Sequence, residues 1–324
     1  MTLIDLPIPE PGEGEVVVRV LAAGVCRTDL HLLAEVAAGR LDPLVPGHEI
    51  AGSVHKAGPG VGRVRAGDAV VVHFEVPCGK CRACVTKRTN LCENLTTLGF
   101  DLPGGYAEYV RVPEDNVLAA PPNLDVEQAA VLSCSGATAY HTVVTQGRAD
   151  ERDLVVVIGA GGVGLSAIQV ARARGARVVA VDVRGSALEA ARAVGAELAV
   201  MPDDALAAIL GASKDRGADV VVDLVSTGDT MQLGIAALAP GGRLVEAAGG
   251  EDGVQIAPRL LMDKELTLSG AHSSTMADFA RAVSLAEAGL LRPVVTRTGV
   301  LAEAESILKE LDAGAIVGRA VLRP

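Results

Sequence analysis

Hydrophobic positions follow two different rhythms along this 324-residue chain. Up to about residue 135, short runs of β-forming residues are separated by glycine and proline; examples are Val16–Val20, Ala69–His73 and Tyr106–Val112. Such spacing is typical of an all-β or barrel-like domain. We therefore predict a β-rich first part, without regular alternation of strands and helices.

From about Leu154 the rhythm changes. Leu154–Ile158 is a short, wholly apolar run, as expected for a strand that is covered on both faces. Helical patterns then alternate with strand patterns, the helices over 163–174, 186–194 and 230–238 and the strands over 177–181, 220–224 and 243–247. This repetition predicts a parallel, doubly wound sheet. Later elements are predicted as helices over 276–288 and 302–313 and a strand over 319–322.

Charge and composition narrow the set of partners. With 40 acidic and 29 basic residues the formal charge is -11, so the chain has no net attraction to the phosphates of nucleic acid or of an anionic membrane. A local basic patch around Lys80, Arg82, Lys87 and Arg88 is an alternative, but a solvated zinc loop is the favoured interpretation of these residues. Tryptophan is absent, and base stacking on aromatic platforms is not expected. The expected partner is a small molecule.

The sequence carries no sign of export. Residues 1–15 lack an apolar run and contain three prolines, and no apolar stretch has the length of a membrane span. We expect a cytoplasmic protein, whose thiols stay reduced. In that compartment the six cysteines are more often metal ligands or catalytic groups than disulfides.

A dinucleotide motif follows the first strand of the alternating part. The fingerprint G-x-G-x-x-G is matched by Gly159, Ala160, Gly161, Gly162, Val163 and Gly164. Gly159 suits the tight turn, Gly161 the close approach of the pyrophosphate, and Gly164 the close packing of helix on strand. The first N–H groups of the helix then face the phosphates.

Asp182 ends the second strand of this part, 18 residues after Gly164. Its carboxylate would accept hydrogen bonds from the adenosine ribose and would repel a 2′-phosphate. We therefore predict NAD as the cofactor. Arg184 stands close enough to favour a 2′-phosphate, so NADP remains the alternative.

Four cysteines have the spacing C-x₂-C-x₂-C-x₇-C, at Cys78, Cys81, Cys84 and Cys92. Four thiolates complete a tetrahedron around one zinc ion and leave no position for water or substrate, so the predicted site is structural. An iron–sulfur cluster is one alternative, and a zinc ribbon that binds nucleic acid is another.

The two remaining cysteines lie in separate segments. Cys26 belongs to GVCRTDLH at 24–31, a Pro-Gly-His-Glu segment follows at 46–49, and Cys134 begins CSGATAY at 134–140. Along the chain, the segment around Cys26 is followed by the one around His48, the four-cysteine loop, the segment around Cys134 and the glycine motif. Together they resemble the medium-chain, zinc-containing alcohol dehydrogenases over almost the whole length.

The resemblance implies that Cys26, His48 and Cys134 hold a catalytic zinc ion. Three protein ligands would leave one tetrahedral position for water or the substrate oxygen. Glu49 resembles a family carboxylate that lies behind the zinc and exchanges onto it. Asp29 resembles the residue that orients His48, although an ordinary turn-forming aspartate is the alternative.

Proton transfer and the substrate pocket follow from the same resemblance. Thr28 matches the hydroxyl residue that contacts the substrate oxygen. His31 matches the end of a proton relay to solvent, and its alternative is an ordinary surface histidine. Phe74 matches a position that lines the substrate pocket, with core packing as the alternative.

Three residues match positions that bind the cofactor. Arg27 and Arg319 correspond to arginines that meet the pyrophosphate, a role suited to planar donors that are always charged. Thr138 corresponds to a residue near the nicotinamide.

The implied fold combines α/β and β domains. A GroES-like β-barrel catalytic domain would cover residues 1–135, with 273–324 returning to it, and a Rossmann NAD-binding domain would cover 136–272. The family has a further strand upstream of the segment at 6–11, and its dimeric animal members have a long insertion that this chain lacks. A homotetramer like that of the microbial enzymes, or else a homodimer, is expected.

The implied activity is the interconversion of an alcohol and an aldehyde or ketone with NAD and two zinc ions per chain. One alternative is a biosynthetic reductase that acts on an imine or an activated C=C bond with the same scaffold. Another is a non-enzymatic zinc protein, which would carry one zinc ion per chain. The identity of the alcohol does not follow from the sequence.

Overall fold

A computed structural model describes residues 1–42 and 44–324, which fall into two units. The first unit comprises Met1–Cys134, Thr275–Glu287 and Pro293–Pro324, and the second comprises Ser135–Ser274 and Ala288–Arg292. Elements are numbered in chain order over both units.

The first unit is built on a seven-stranded sheet. Its strands are β1 (Glu15–Val25), β2 (Glu49–Ala57), β3 (Ala69–Val72), β6 (Tyr109–Pro113), β7 (Val117–Ala119), β14 (Val295–Val300) and β15 (Arg319–Arg323). The order is β14-β15-β1-β2-β3-β7, and β6 pairs with β1. Valine dominates the buried positions of the sheet, as expected for a pleated surface packed on one core.

Helices and a second, small sheet complete this unit. The helices are α1 (Arg27–Ala37), α2 (Arg82–Val85), α3 (Val126–Val131), α10 (Met276–Glu287) and α11 (Ala304–Asp312). The small sheet pairs β4 (Glu75–Val76) with β5 (Thr96–Thr97) and brings together the two ends of the four-cysteine segment.

The second unit is a six-stranded parallel sheet. Its strands are β8 (Leu154–Ile158), β9 (Arg177–Val181), β10 (Leu198–Val200), β11 (Ala218–Asp223), β12 (Leu238–Glu246) and β13 (Thr267–Gly270). The order β10-β9-β8-β11-β12-β13 is that of the doubly wound dinucleotide-binding fold. The order reverses between β8 and β11, and ligands of such sheets bind at the carboxyl ends of the strands at that point.

Helices precede and connect these strands. They are α4 (Ala137–Tyr140), α5 (Gly162–Ala173), α6 (Gly185–Ala193), α7 (Pro202–Ser213), α8 (Gly228–Ala237) and α9 (Pro258–Lys264). Two π-helical segments, Leu132–Gly136 and His141–Gln146, flank α4. Within the described ranges, no helix is long and apolar enough to cross a membrane.

Two local predictions differ from the structure. Residues 27–37 form a helix within the β-rich part, because Asp29 at the third helical position accepts a hydrogen bond from the N–H of Cys26 and caps α1. The predicted strand over Tyr106–Val112 starts only at Tyr109, since the N–H of Tyr106 bonds instead to the carbonyl of Pro46.

Candidate metal centres and cofactor site

Strand register brings the first cysteine, the histidine and a distant arginine together. In the antiparallel pair of β1 and β2, Gly24 lies opposite Glu49. On the other side of β1, Val25 lies opposite Ala320 of β15. The residues at these strand ends, Cys26, His48 and Arg319, are therefore neighbours although they are far apart in sequence.

A buried cluster forms at this point. Cys134 joins it from the π-helical segment, a geometry that is frequent at functional sites. The potential ligand atoms of Cys26, His48, Glu49 and Cys134 all lie within 4.8 Å of one another. Ligands at about 2.0–2.3 Å from one zinc ion are necessarily within about 4.6 Å of each other. The cluster is therefore almost as compact as a bound ion requires.

Asp29 holds the imidazole of His48. Its Oδ1 lies 3.1 Å from Nδ1 of His48, and its Oδ2 accepts hydrogen bonds from the hydroxyl of Tyr106 (2.7 Å) and the N–H of Cys26 (2.9 Å). Burial opposes protonation of His48, but the Asp29 carboxylate and Cys26 outweigh burial and raise the pKa of the imidazole well above its usual value. With Nδ1 engaged by Asp29, Nε2 is the nitrogen left for a metal ion.

Arg319 balances the negative charge of the cluster. It is 5% exposed, its Nε donates to Oε1 of Glu49 (3.1 Å), and an Nη–H points at Sγ of Cys26 (3.5 Å). Burial raises the pKa of Glu49 to about 7, against the opposing effect of Arg319. Its Oε2 is buried and has no hydrogen-bond partner among the described residues. A cation is the group that would satisfy this oxygen.

The pKa values of Cys26 and Cys134 are shifted in opposite directions. A hydrogen bond from Cys134, and then the charge of Arg319, lower the pKa of Cys26 well below its usual value. The same hydrogen bond and burial raise the pKa of Cys134. The second proton would leave only when a cation takes its place, which is the behaviour of a pair of metal-ligating cysteines. The donor set therefore fits zinc.

Two features around the cluster were missed from sequence. Gly24 has no room for a side chain, because a Cβ there would stand 2.0 Å from Oε2 of Glu49. Phe100 packs against the ring of His48 at a centroid distance of 5.7 Å. Phe74, predicted as a pocket residue or core residue, is 8% exposed and lies edge-on to His48 at 5.0 Å. Gly24 belongs to the segment around Cys26, but nothing in that segment marks its contact with Glu49, and no motif marks the contact of Phe100 with His48.

The four-cysteine loop forms the second cluster. The thiol sulfurs of Cys78, Cys81, Cys84 and Cys92 also lie within 4.8 Å of one another. Sγ of Cys92 accepts hydrogen bonds from the N–H groups of Cys78 (3.2 Å) and Asn94 (3.4 Å), as thiolate ligands do. All six cysteines of the chain are free thiols.

Protons are divided unequally within this loop. Hydrogen bonds from the main chain at Lys80 and Cys81 lower the pKa of Cys78 to about 6. Burial and the neighbouring thiols raise the pKa of Cys84 to about 12. The pKa of Cys81 is lowered as well, mainly by main-chain hydrogen bonds, so Cys84 is the thiol whose ionisation a bound cation would have to favour. This loop also fits zinc.

The glycine motif forms the turn between β8 and α5. Gly159 has a φ of +93°, which favours glycine. A Cβ on Gly164 would stand 1.9 Å from the carbonyl oxygen of Gly159, so helix and strand touch there. A Cβ on Gly161 would have no atom of the described residues within 4 Å. Beside Gly162 and Val163 at the helix start, that free space is where a phosphate can approach the backbone.

Asp182 supports the same turn. It lies directly after β9, its Oδ2 accepts from the N–H of Ala160 (2.8 Å), and its Oδ1 accepts from the N–H (2.9 Å) and Nε (3.3 Å) of Arg184. A carboxylate has about four acceptor positions. Ribose hydroxyls would therefore compete with, or add to, the contacts that Asp182 already makes.

Four further candidates lie outside the two clusters. Arg27, Thr28 and His31 are exposed on the first turns of α1, with Oγ1 of Thr28 3.3 Å from Sγ of Cys26. Thr138 is 9% exposed on α4 in the second unit. Arg319 contacts Glu49 and Cys26. The role expected from the sequence was a contact with the cofactor pyrophosphate.

The fold and the sites define a class of protein. The doubly wound sheet with its glycine turn, together with the β-rich unit and its two cysteine clusters, is typical of metal-containing dehydrogenases. Two family models match the chain: the alcohol dehydrogenase GroES-like domain over residues 12–122 and the zinc-binding dehydrogenase over residues 162–288.

Relatives match over the whole chain. It is 36% identical to the NAD-dependent alcohol dehydrogenase of Sulfurisphaera tokodaii, with 100% of this chain and 96% of the relative covered. It is 32% identical to the L-threonine 3-dehydrogenase of Caldanaerobacter subterraneus, with 99% and 95% covered. The solved structure of a cobalt- and zinc-bound alcohol dehydrogenase from Pyrobaculum aerophilum superposes with a TM-score of 0.88 at 34% identity, covering 100% and 95%. The chain belongs to the zinc-containing alcohol dehydrogenases of the medium-chain dehydrogenase/reductase superfamily.

Proposed function

We propose that this protein interconverts an alcohol and an aldehyde or ketone by transferring a hydride to or from NAD. The observation that carries the proposal is the convergence of Cys26, His48, Glu49 and Cys134 in one buried cluster. A glycine turn suited to a dinucleotide accompanies it in the second unit. Membership of the alcohol dehydrogenase family supports the reaction class.

Two zinc ions per chain are part of the proposal. Cys26, His48 and Cys134 hold the catalytic ion, with Glu49 beside them, and the four-cysteine loop holds a structural ion. When bound, the catalytic zinc supplies Lewis acidity toward the substrate oxygen and NAD accepts or donates the hydride. Since Glu49 is neutralised by Arg319, the two thiolates alone offset the charge of the catalytic ion.

Two residues of α1 would transfer the proton of the substrate hydroxyl. Thr28 is an exposed residue whose hydroxyl lies beside Cys26, and we assign to its Oγ1 the contact with the substrate hydroxyl and its proton. His31 lies three residues further on, so it shares a face of the helix with Thr28. Its imidazole is exposed, and we assign to it the transfer of that proton to water.

Cofactor-binding roles are proposed residue by residue. The glycine turn and the start of α5 take the pyrophosphate, Asp182 takes the adenosine ribose and favours NAD over NADP, and Thr138 contacts the nicotinamide. Arg27 is exposed and free to meet the pyrophosphate. For Arg319 we propose that charge balance at Glu49 and Cys26 accompanies any contact with the cofactor.

We assign the catalytic metal site to the first unit and the glycine turn that binds the nucleotide to the second. We also propose a cytoplasmic location. All six cysteines are free and belong to the two candidate metal sites, as is usual where thiols stay reduced. The homotetrameric or homodimeric state rests on the family resemblance alone.

The test is a substrate panel read by absorbance at the NADH band. Alcohols are offered with NAD, aldehydes and ketones with NADH, and imines and activated C=C compounds with NADH as a separate arm. We expect oxidation of at least one alcohol and the reverse reaction with the matching carbonyl. Turnover in the imine or C=C arm alone, by protein that contains two zinc ions, would replace this proposal with the reductase alternative.

A further inference from the structure

Tyr106 lies where the chain passes close to the segment that leads into His48. Three main-chain hydrogen bonds of 2.7–2.9 Å join residues 104–106 to residues 45–47. Tyr106 is 8% exposed, and its ring covers Gly47, where a Cβ would stand 2.3 Å from the ring. Gly47 also has a φ of +94°, so the backbone before His48 is fixed against this tyrosine.

The hydroxyl of Tyr106 reaches Asp29 from outside α1. It donates to Oδ2 at 2.7 Å, and the other donor to Oδ2 is the N–H of Cys26 at 2.9 Å. Oδ1 is thereby left to face Nδ1 of His48 at 3.1 Å. Asp29 is 0% exposed, so water does not replace a missing donor without a rearrangement.

We infer that Tyr106 is a positioning residue of the metal centre, whose hydroxyl fixes Asp29 so that Nε2 of His48 is held toward the cysteine ligands. The inference rests on the proposed catalytic metal site. Without the hydroxyl, the main-chain N–H of Cys26 is the donor to Oδ2 that remains among the described residues, and the carboxylate can turn and offer His48 a poorer contact. Partners that orient a ligating histidine strengthen metal binding in this way.

Tyr106→Phe tests the role, because it removes the hydroxyl and keeps the ring over Gly47. The probe is Co²⁺ added to metal-free protein, since its visible absorption reports the geometry of its ligands. We expect the affinity of the site formed by Cys26, His48 and Cys134 to fall about tenfold, at the lower end of the range for such partners. The absorption band of that site should shift, while the four-cysteine loop binds as in wild type.

Tyr109→Phe is the matched control. It removes a half-buried tyrosine hydroxyl three residues away, on β6, and should leave both sites unchanged. Asp29→Asn supplies a second, independent variant. Because Tyr106 acts through Asp29, the double variant should bind Co²⁺ no more weakly than Asp29→Asn alone.

The outcomes separate this inference from the function on which it rests. Wild-type protein that binds a single Co²⁺ per chain would overturn the catalytic metal site itself. Two bound ions in Tyr106→Phe with wild-type affinity and spectrum would overturn the positioning role. Additive losses in the double variant would also overturn it, because the tyrosine would then act by another route.

Discussion

Charge at the candidate metal centre is balanced by single residues that are shielded from water. The Glu49 and Arg319 side chains are 0% and 7% exposed, and Arg319 also faces the Cys26 thiol. A buried pair of this kind adds little net stability as a whole. Removal of one partner, however, leaves an uncompensated charge in a poorly solvated place.

Arg319→Met should therefore destabilise the protein strongly. Loss of one member of a buried ion pair costs about 3–5 kcal/mol, and urea unfolding at fixed zinc saturation measures it. Arg40→Met is the control: both side chains of its pair with Glu35 are exposed, at 61% and 42%, and surface pairs contribute about 0–1 kcal/mol. Equal losses in the two variants would contradict the charge-balancing role of Arg319.

Asp182 should control cofactor preference. Asp182→Asn keeps an oxygen for the N–H of Ala160 and removes the negative charge that repels a 2′-phosphate. Because hydrogen bonds to charged groups contribute about 1.5–3 kcal/mol, we expect the NAD-over-NADP ratio of kcat/KM to fall about tenfold or more. Asp182→Ala should lower the same ratio. An unchanged ratio in both variants would argue against this residue.

At the scale of single residues, the sequence predicts which side chains can bind a metal better than it predicts which residues touch. Cys26, His48 and Cys134 could be singled out because their residue types and motifs are distinctive, and the structure brings them together. Gly24 and Tyr106 could not. Each matters through one close approach to a residue distant in sequence, and nothing in the local pattern encodes that approach.

At the scale of elements, the apolar runs of the second unit were the most predictable. The predicted strands at 154–158 and 177–181 are β8 and β9, and the intervening helix starts one residue earlier than expected. A run that is buried on both faces has an unambiguous pattern. Short or half-exposed elements such as β10, β13 and α9 lack it and were missed, since their burial depends on the neighbouring strands.

The glycine turn offers a matched pair of substitutions within one element. Gly161→Ala adds a methyl group to free space and should leave thermal stability unchanged while weakening NAD binding by roughly tenfold or more, because the methyl group occupies the approach of the phosphates. Gly164→Ala places a methyl group 1.9 Å from a carbonyl oxygen and should cost about 1–3 kcal/mol of stability.

Thermal unfolding measures the effect on stability, and the concentration of NAD that displaces bound, fluorescent NADH measures the effect on NAD binding. The comparison is informative because both variants carry the same added atom three residues apart. A Gly161→Ala protein that binds NAD as tightly as wild type would show that the phosphates do not lie at this turn.

At the scale of the whole molecule, strand register explains a site whose residues span nearly the entire chain. The long strand β1 pairs with β2 and with β15, so positions 24, 49 and 320 meet at one end of one sheet. Sequence patterns predicted a β-rich first part but not these pairings, because register depends on the packed core and on turns that the pattern leaves unspecified. The parallel sheet of the second unit could be predicted from the sequence, since alternating strands and helices allow few topologies.

The central claim is that the cluster around Cys26, His48 and Cys134 is a catalytic zinc site, distinct from the four-cysteine loop. Zinc per chain, NAD binding and NAD-linked turnover should be measured together on wild type, Cys26→Ala and His48→Ala, with the exposed His55→Ala as the control. The account predicts two zinc ions in wild type and in the control. In the other two variants it predicts one zinc ion, retained NAD binding and no turnover. Normal turnover in Cys26→Ala or His48→Ala, or a single zinc ion in active wild-type protein, would contradict it.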